Sequence, residues 1–186
     1  MTTHTSIFYK IDIWYTILRT TLAMLLATAT AGPVVALHPL VRNFPRAEYK
    51  AGTQNWDITQ DNNLEVFFAN NEGLLSFAGT NWRTLPIGNH TNVRAVLYDS
   101  ISNRIYAGAF NELGYYAHDP ATKHFTYYSL KEKIAEHERQ FNEIWNIHRM
   151  DDRIFFQGDN VVMELNNDTI IRYNFNHKIE TSAVIG

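Results

Sequence analysis

The side chains best equipped for chemistry in this sequence are aromatic rings and forked polar groups. Trp56, Trp145 and Tyr115 offer flat apolar faces of the kind that stack on sugar rings, while Arg94 and Asn111 each offer several hydrogen-bonding atoms. Small-molecule sites usually combine apolar walls with a few convergent polar groups. These five residues form the predicted ligand-binding set, although aromatic packing in a core and asparagines in turns would explain the same residue types.

Motifs for catalysis or metal binding are missing from the sequence. The 186 residues include no cysteine, which excludes thiol catalysis and cysteine-ligated zinc. No Gly-x-Ser-x-Gly, His-Glu-x-x-His or phosphate-binding glycine-rich loop occurs, and the eight histidines are scattered. His118 and His124 flank a turn, but Asp119 is the one further ligand that this segment adds. The sequence therefore predicts no catalytic residue, no metal and no cofactor.

Composition restricts the possible partners. With 16 Lys and Arg against 19 Asp and Glu, the formal charge is −3, which gives no long-range attraction for nucleic acid. The 45% of hydrophobic residues is enough to build a core, so intrinsic disorder is not expected.

The first residues resemble a secretory signal. Lys10 and Arg19 precede a run of apolar and small residues at 20–31, and the Ala29-Thr30-Ala31 triplet offers the small side chains that signal peptidase needs. A retained membrane anchor is the alternative, but Pro33 interrupts the far end of a run that is barely long enough to span. We therefore predict a signal peptide at 1–31, or less favourably an N-terminal anchor, and export of the remainder.

The elements that must hold the predicted ligand-binding residues are short strands in a repeated order. Apolar segments end at Asp61, Asp99 and Asp151, and each is followed by an aromatic-then-small strand, an Asn/Asp/Gly turn and two further strands. Phe68 and Tyr106 occupy matching places 38 residues apart. Four antiparallel strands at a period near 40 are typical of a β-propeller blade, whereas a β-sandwich does not require the turns to recur in register. The predicted fold is all-β, a partial propeller of about three blades and the start of a fourth.

A longer interval separates the second and third units. Ser129-Leu130-Lys131-Glu132 has the pattern of a capping box, and Leu130, Ile134 and Phe141 would share one helix face. We predict a short helical insertion at 129–142. It is either a lid over a ligand or, as favoured here, a loop packed on the rim.

Two motifs resemble the start of the two-component regulator propeller family. These are the Gly52-Thr53-Gln54-Asn55-Trp56 core within residues 43–58 and the Asn70-Asn71-Glu72-Gly73-Leu74-Leu75 turn. The resemblance extends to about residue 173, but the later units match the family in the order of strands and turns more than in residue identity. Members of this family are periplasmic ligand-binding sensors of bacterial hybrid two-component or helix-turn-helix regulators.

The resemblance implies a function that the residues alone do not. It implies that residues 43–186 are an incomplete sensor propeller on the periplasmic side of the inner membrane, in a membrane-anchored protein. The expected ligand is a carbohydrate-derived small molecule such as an oligosaccharide, and the expected full-length form is a homodimer that controls transcription through kinase or helix-turn-helix modules. This segment would itself bind no nucleic acid and catalyse no reaction.

Two other readings stay open at the level of sequence. One is a secreted propeller scaffold for protein–protein interaction, and the less favoured one is a propeller enzyme of the glycoside lyase or hydrolase type. Because three blades and part of a fourth do not close a ring, the sequence also suggests an N-terminal fragment that needs further blades. Residues 179–186 would then be an incoming strand.

Overall fold

The computed structural model describes residues 14–24, 41–119, 121 and 124–185. The chain divides into two compact units, residues 1–42 and residues 43–186. In the first unit, residues 14–24 are helical and exposed to solvent. Most of the predicted signal segment lies outside the described residues, so it stays a prediction. Within the described ranges no helix has the length and apolar character needed to cross a bilayer.

The second unit consists of three four-stranded antiparallel sheets after the short helix Arg46–Tyr49. Blade one contains β1 (Asn55–Gln60), β2 (Val66–Asn70), β3 (Gly73–Ala78) and β4 (Asn81–Leu85). Blade two contains β5 (Val93–Asp99), β6 (Arg104–Ala109), β7 (Glu112–His118) and β8 (Phe125–Ser129). Blade three contains β9 (Ile144–Met150), β10 (Arg153–Gly158), β11 (Val161–Asn166) and β12 (Thr169–Asn174). In every sheet the strand order follows the chain, so the predicted four-stranded units are confirmed.

Successive blades meet along their first strands. The backbone N–H of Val96 in β5 donates to Asp57 Oδ2 in β1 at 2.9 Å, and that of Tyr98 donates to Thr59 Oγ1 at 3.0 Å. Side chains of one inner strand thus accept hydrogen bonds from the backbone of the next. β1, β5 and β9 are therefore the inner strands, nearest the axis about which the blades are arranged.

Apolar side chains fill the two spaces between blades. Phe67, Val96 and Tyr116 belong to a core cluster shared by blades one and two, and Tyr106 and Phe156 belong to a cluster shared by blades two and three. Phe67 and Phe156 are completely buried, and burying a side chain of this size contributes about 2–3 kcal/mol. These interfaces account for the aromatic residue that recurs in each second strand.

The segment between blades two and three does not form the single helical insertion that the sequence predicts at 129–142. It contains two three-residue 3₁₀ helices, Lys131–Lys133 and Glu136–Glu138, in place of one continuous helix. The capping box does not form, because the Glu132 carboxylate pairs with Arg139 at 2.9 Å. The three side chains expected on one face, Leu130, Ile134 and Phe141, are nevertheless all buried in the core between blades two and three.

The last described residues lie against blade three without joining its sheet. The backbone N–H of Ile179 donates to the carbonyl of Asp159 at 2.6 Å, and Ser182 Oγ donates to Gln157 Oε1 at 2.5 Å. His148 Nε2 is also 2.8 Å from Ser182 Oγ. The expected incoming strand is therefore seen as a segment beside β9 and β10 of blade three, with no strand assigned to it.

Candidate functional site

The two sequence motifs that carry the family resemblance form one structural unit. Asn70 is fully buried, and its side chain accepts a hydrogen bond from Gly52 N at 3.0 Å while donating to Gly52 O at 2.7 Å and to Asn55 Oδ1 at 2.7 Å. Asn71 Nδ2 donates to Gln54 Oε1 at 3.0 Å. The Asn70-Asn71 turn therefore holds the segment that leads into β1.

Two glycines make this close packing possible. A Cβ atom on Gly52 would lie 2.9 Å from Asn70 Oδ1, and one on Gly73 would lie 2.4 Å from the carbonyl oxygen of Leu85. Gly73 also has a φ of +127°, which residues with a side chain rarely adopt. Both positions require glycine, because a side chain there would collide with a neighbouring segment of the same protein.

Each inner strand contains a β-bulge close to its N-terminal end, and the three bulges occupy equivalent positions. In β1 the register passes from Asn55 to Asp57, leaving Trp56 as the extra residue. In β5 the extra residue is Arg94, and in β9 it is Trp145. A bulge redirects a side chain away from the regular alternation of a strand. One redirected side chain per blade is thereby brought to the same end of the inner strands.

These three side chains contact one another. The Arg94 guanidinium carbon lies 4.0 Å from the ring centroid of Trp56 and 5.7 Å from that of Trp145. The two indole rings are 6.3 Å apart in an edge-to-face arrangement of 66°. Trp56 and Trp145 are 44% and 36% exposed, which is high for tryptophan, whereas the Arg94 side chain is 14% exposed. Two accessible aromatic faces therefore flank one shielded cation.

Each of the three bulge side chains has a polar partner. Trp56 Nε1 donates to Asn71 Oδ1 at 2.8 Å, and Trp145 Nε1 donates to Asp159 Oδ1 at 3.0 Å. Arg94 Nε lies 3.5 Å from Glu143 Oε1, and the Glu143 side chain is 20% exposed. We name the whole set the channel-end cluster; its members are Trp56, Asn71, Arg94, Glu143, Trp145 and Asp159.

An open cavity adjoins the cluster. It has a volume of about 290 Å³ and is lined by Asn55, Trp56, Asp57, Ile58 and Phe68. Ile58 is 60% exposed, so apolar surface continues from the Trp56 ring along β1. A ring-shaped ligand stacked on Trp56 would find both an apolar wall and hydrogen-bonding groups within reach.

The structure places the five predicted ligand-binding residues in two groups. Trp56, Arg94 and Trp145 meet in the channel-end cluster. Tyr115 does not, because it lies in β7, stacked on Tyr128 with a centroid distance of 5.3 Å and packed against the core between blades two and three. These are the packing contacts that the alternative explanation of the aromatic residues describes.

Asn111 also lies outside the channel-end cluster, and it is buried. It is 8% exposed, and its Oδ1 accepts hydrogen bonds from Phe141 N at 2.7 Å and Asn142 N at 2.8 Å. Its own N–H donates to the carbonyl of Asn142 at 2.8 Å. Asn111 therefore clamps the end of the insertion immediately before Glu143, and it acts on the cluster by positioning that residue.

Sequence reasoning missed Glu143 and Asp159. Asp159 was interpreted as a turn residue, yet it follows β10 at the position that Asn71 occupies after β2, and it holds an indole N–H as Asn71 does. Matching the turn residues of different blades to the preceding tryptophans would have found it. Glu143 carries no such signal, because its contact with Arg94 depends on the path of the insertion.

At the opposite end of β5, Asp99 forms a second carboxylate–arginine pair. Arg149 Nε lies 3.2 Å from Asp99 Oδ1, and Ser102 Oγ donates to Asp99 Oδ2 at 2.5 Å. Burial raises the pKa of Asp99, but hydrogen bonds from Ser102 and Ile101 and the charge of Arg149 outweigh it, so the pKa lies below its ordinary value. This pair borders a cavity of about 190 Å³ between blades two and three.

The remaining titratable side chains in the part of the chain that the structure describes show no arrangement suited to a metal. Among the described residues no group of three His, Asp or Glu side chains could hold an ion. His118 packs on Phe125 with a centroid distance of 3.9 Å, as a structural histidine would.

Comparison with known proteins supports the fold. No protein-family model and no curated protein matches the sequence. Among solved structures the chain is similar to the WD40 β-propeller domain of Doa1, with a TM-score of 0.53 and 14% identity over 74% of this chain and 47% of that one. The fold is a partial β-propeller. It corresponds to less than half the length of the Doa1 domain.

Two more distant structural neighbours come from B. thetaiotaomicron. They are the extracellular domains of the hybrid two-component systems BT3049 and BT4673. BT3049 has a TM-score of 0.49 and 17% identity over 75% of this chain and 18% of that chain. BT4673 has a TM-score of 0.31 and 15% identity over 73% and 23%.

Proposed function

We propose that this chain is the ligand-sensing part of a propeller receptor and that it binds a small carbohydrate-derived molecule at the channel-end cluster. The observation that carries the proposal is the convergence of Trp56, Arg94 and Trp145, one bulge residue from each blade. Two exposed indoles that meet where three blades converge form an apolar surface of the kind that marks ligand sites, and their faces suit the C–H face of a sugar ring. A site built from three blades also couples the ligand to their relative arrangement.

That coupling suggests how binding would become a signal. A ligand that contacts several blades favours the arrangement in which all of them reach it, and so shifts the population of states. By the family resemblance, the protein would lie on the periplasmic side of the inner membrane. It would act as a dimer and pass the shift to modules that control transcription.

Titration calorimetry of the purified protein against a panel of oligosaccharides tests the proposal. We expect one class of sugar to bind and to change the tryptophan fluorescence, because Trp56 and Trp145 would lose contact with water. Trp145→Ala should weaken that binding about tenfold or more, since removing about 60 Å² of apolar contact with the ligand costs about 1.5 kcal/mol. The matched control is Tyr173→Ala, which removes an aromatic residue 43% exposed on β12, the outermost strand of blade three.

Either of two results would remove the support for this function. The first is that no oligosaccharide binds. The second is that a sugar binds equally well to the Trp145→Ala variant, which would locate the site elsewhere.

A further inference from the structure

The charges within the channel-end cluster are unbalanced. Arg94 supplies one guanidinium, whereas Glu143 and Asp159 supply two carboxylates, one held against Arg94 and one against the Trp145 indole. Asp57 adds a third carboxylate to the lining of the adjoining cavity. An arginine between two tryptophans would at first suggest recognition of an acidic ligand. The carboxylates around it oppose that reading.

Arg94 is already committed to partners within the protein. Its guanidinium lies over the Trp56 ring at 4.0 Å, its Nε faces Glu143 and its Nη1 is 3.5 Å from Asn71 Oδ1. With both side chains of the ion pair largely shielded from water, charge interactions there are stronger than at an open surface. A ligand carboxylate approaching Arg94 would therefore meet Glu143 as a competing and repelling anion.

Glu143 cannot easily move away from this position. It directly precedes β9, and the two residues before it, Phe141 and Asn142, donate their backbone N–H groups to the buried Asn111 side chain. Asn142 also has a φ of 60°, a conformation that asparagine tolerates better than most residues. The Asn111 clamp thus fixes the backbone from which the Glu143 carboxylate projects.

The accessible part of the cluster is apolar. The indole N–H groups are occupied by Asn71 and Asp159, so the exposed surface of both tryptophans consists mainly of their faces and edges. Such a surface stacks on an uncharged ring, and the nearby carboxylate and amide oxygens accept hydrogen bonds from hydroxyl groups.

We propose that the channel-end cluster selects uncharged sugar rings over acidic ones, with Glu143 as the residue that determines this specificity. The inference rests on the proposed function and names the chemical class of its ligand. Arg94 serves as a scaffold for the two indoles and as a hydrogen-bond donor, while the carboxylates exclude uronic acids by charge.

The test uses pairs of oligosaccharides that share linkage and length but differ at C6. Mannotetraose against tetramannuronate, and cellotetraose against its C6-oxidised form, are suitable probes for titration calorimetry with the whole protein. We expect the neutral member of a pair to bind at least about tenfold more tightly, the range that close charge pairs produce. Tighter binding of the uronate by the unmodified protein would overturn the inference while leaving a carbohydrate sensor intact. Failure of every probe to bind would overturn the proposed function together with the inference.

Two substitutions test which carboxylates cause the preference for neutral sugars. Glu143→Gln should narrow the neutral-to-uronate ratio by about tenfold, because it leaves Arg94 free to pair with the ligand. Asp159→Asn should change the ratio in the same direction by a smaller factor. Asp159→Asn is the more conservative substitution, because in blade one an asparagine, Asn71, already accepts the equivalent hydrogen bond from the Trp56 indole.

The matched control is Asp168→Asn, which makes the same charge change at a side chain that is 90% exposed in the β11–β12 turn. It should leave the ratio unchanged. Thermal melting checks that each variant is folded, and if Glu143→Gln does not fold, Asp159→Asn decides the question. A ratio unaffected by the folded variants would overturn the role of the carboxylates.

Discussion

The two ends of β5 present arginine–carboxylate pairs of different construction. At one end, Asp99 is 6% exposed and accepts hydrogen bonds from Ile101 N, Ser102 N and Ser102 Oγ in addition to its contact with Arg149. At the other end, Arg94 and Glu143 meet at 3.5 Å, and Arg94 Nε and Glu143 Oε2 make no hydrogen bond with any described residue.

The difference separates a structural pair from one that belongs to the proposed binding surface. The Asp99 carboxylate completes a turn, because its oxygens receive the backbone donors of that turn. The Arg94 pair instead lies beside two exposed indoles and is incompletely hydrogen-bonded, as groups at functional sites often are. We therefore expect substitutions at the Asp99 end to change stability and substitutions at the Trp56 end to change binding.

The largest effect is expected for Asp99→Ala. Removing this carboxylate leaves the N–H groups of Ile101 and Ser102 without an acceptor and Arg149 without its partner. The loss should lower the free energy of unfolding by about 3 kcal/mol. Urea denaturation measures this, and Asp168→Ala is the control with an expected change below about 0.5 kcal/mol. A loss under about 1 kcal/mol, or weaker sugar binding by the folded variant, would erase the distinction between the two ends.

Trp56→Ala should produce the opposite pattern. Because the ring is exposed, its removal should cost about 1 kcal/mol of stability or less, while sugar affinity falls roughly thirtyfold because about 80 Å² of apolar contact, worth about 2 kcal/mol, is lost. Calorimetric titration and thermal melting of the same sample give both quantities. Ile101→Ala removes another exposed apolar side chain, 76% accessible, at the Asp99 end, and it should leave affinity unchanged. Equal affinities for all three proteins would contradict the assignment.

The acid dependence of stability should depend on Asp99. Its pKa is lower in the folded protein than in the unfolded chain, so the unfolded state takes up the proton first as the pH falls. The stabilisation is therefore complete above about pH 5 and is lost as the pH falls through the folded pKa. Melting temperatures measured from pH 6 to pH 2 should fall less steeply in Asp99→Asn than in the unmodified protein. Parallel curves would show that Asp99 does not contribute to the acid sensitivity.

The smallest effect is expected for Ser102→Ala. This change removes the 2.5 Å hydrogen bond from the hydroxyl but keeps the backbone donor and Arg149. It should cost about 1 kcal/mol of stability and bring the pKa of Asp99 closer to its ordinary value. Denaturation at pH 7 and pH 3 checks both points; a larger loss than that of Asp99→Ala would be inconsistent with this account.

The strands were largely predictable because their signals are local. Alternating apolar residues and Asn, Asp or Gly turns specify where a short strand begins and ends, so the three predicted four-stranded units are present in the described residues. The exception is the segment after Ser129. Its capping-box residues have alternative partners, since Ser129 Oγ donates to the buried Glu112 at 2.6 Å and Glu132 pairs with Arg139. Tertiary contacts therefore replaced the helix that the local pattern favoured.

For this protein, the amino-acid sequence by itself predicted three four-stranded antiparallel units and named Trp56, Arg94 and Trp145 as candidate ligand-binding residues. Residue type and spacing carry that information because hydrophobic burial and turn geometry act over a few residues. Only the tertiary structure decided that those three side chains meet, while Asn111 is buried and Tyr115 is partly buried elsewhere. The physical reason is the bulge: one extra residue in each inner strand changes the direction of a side chain, and its effect appears only when three blades lie side by side.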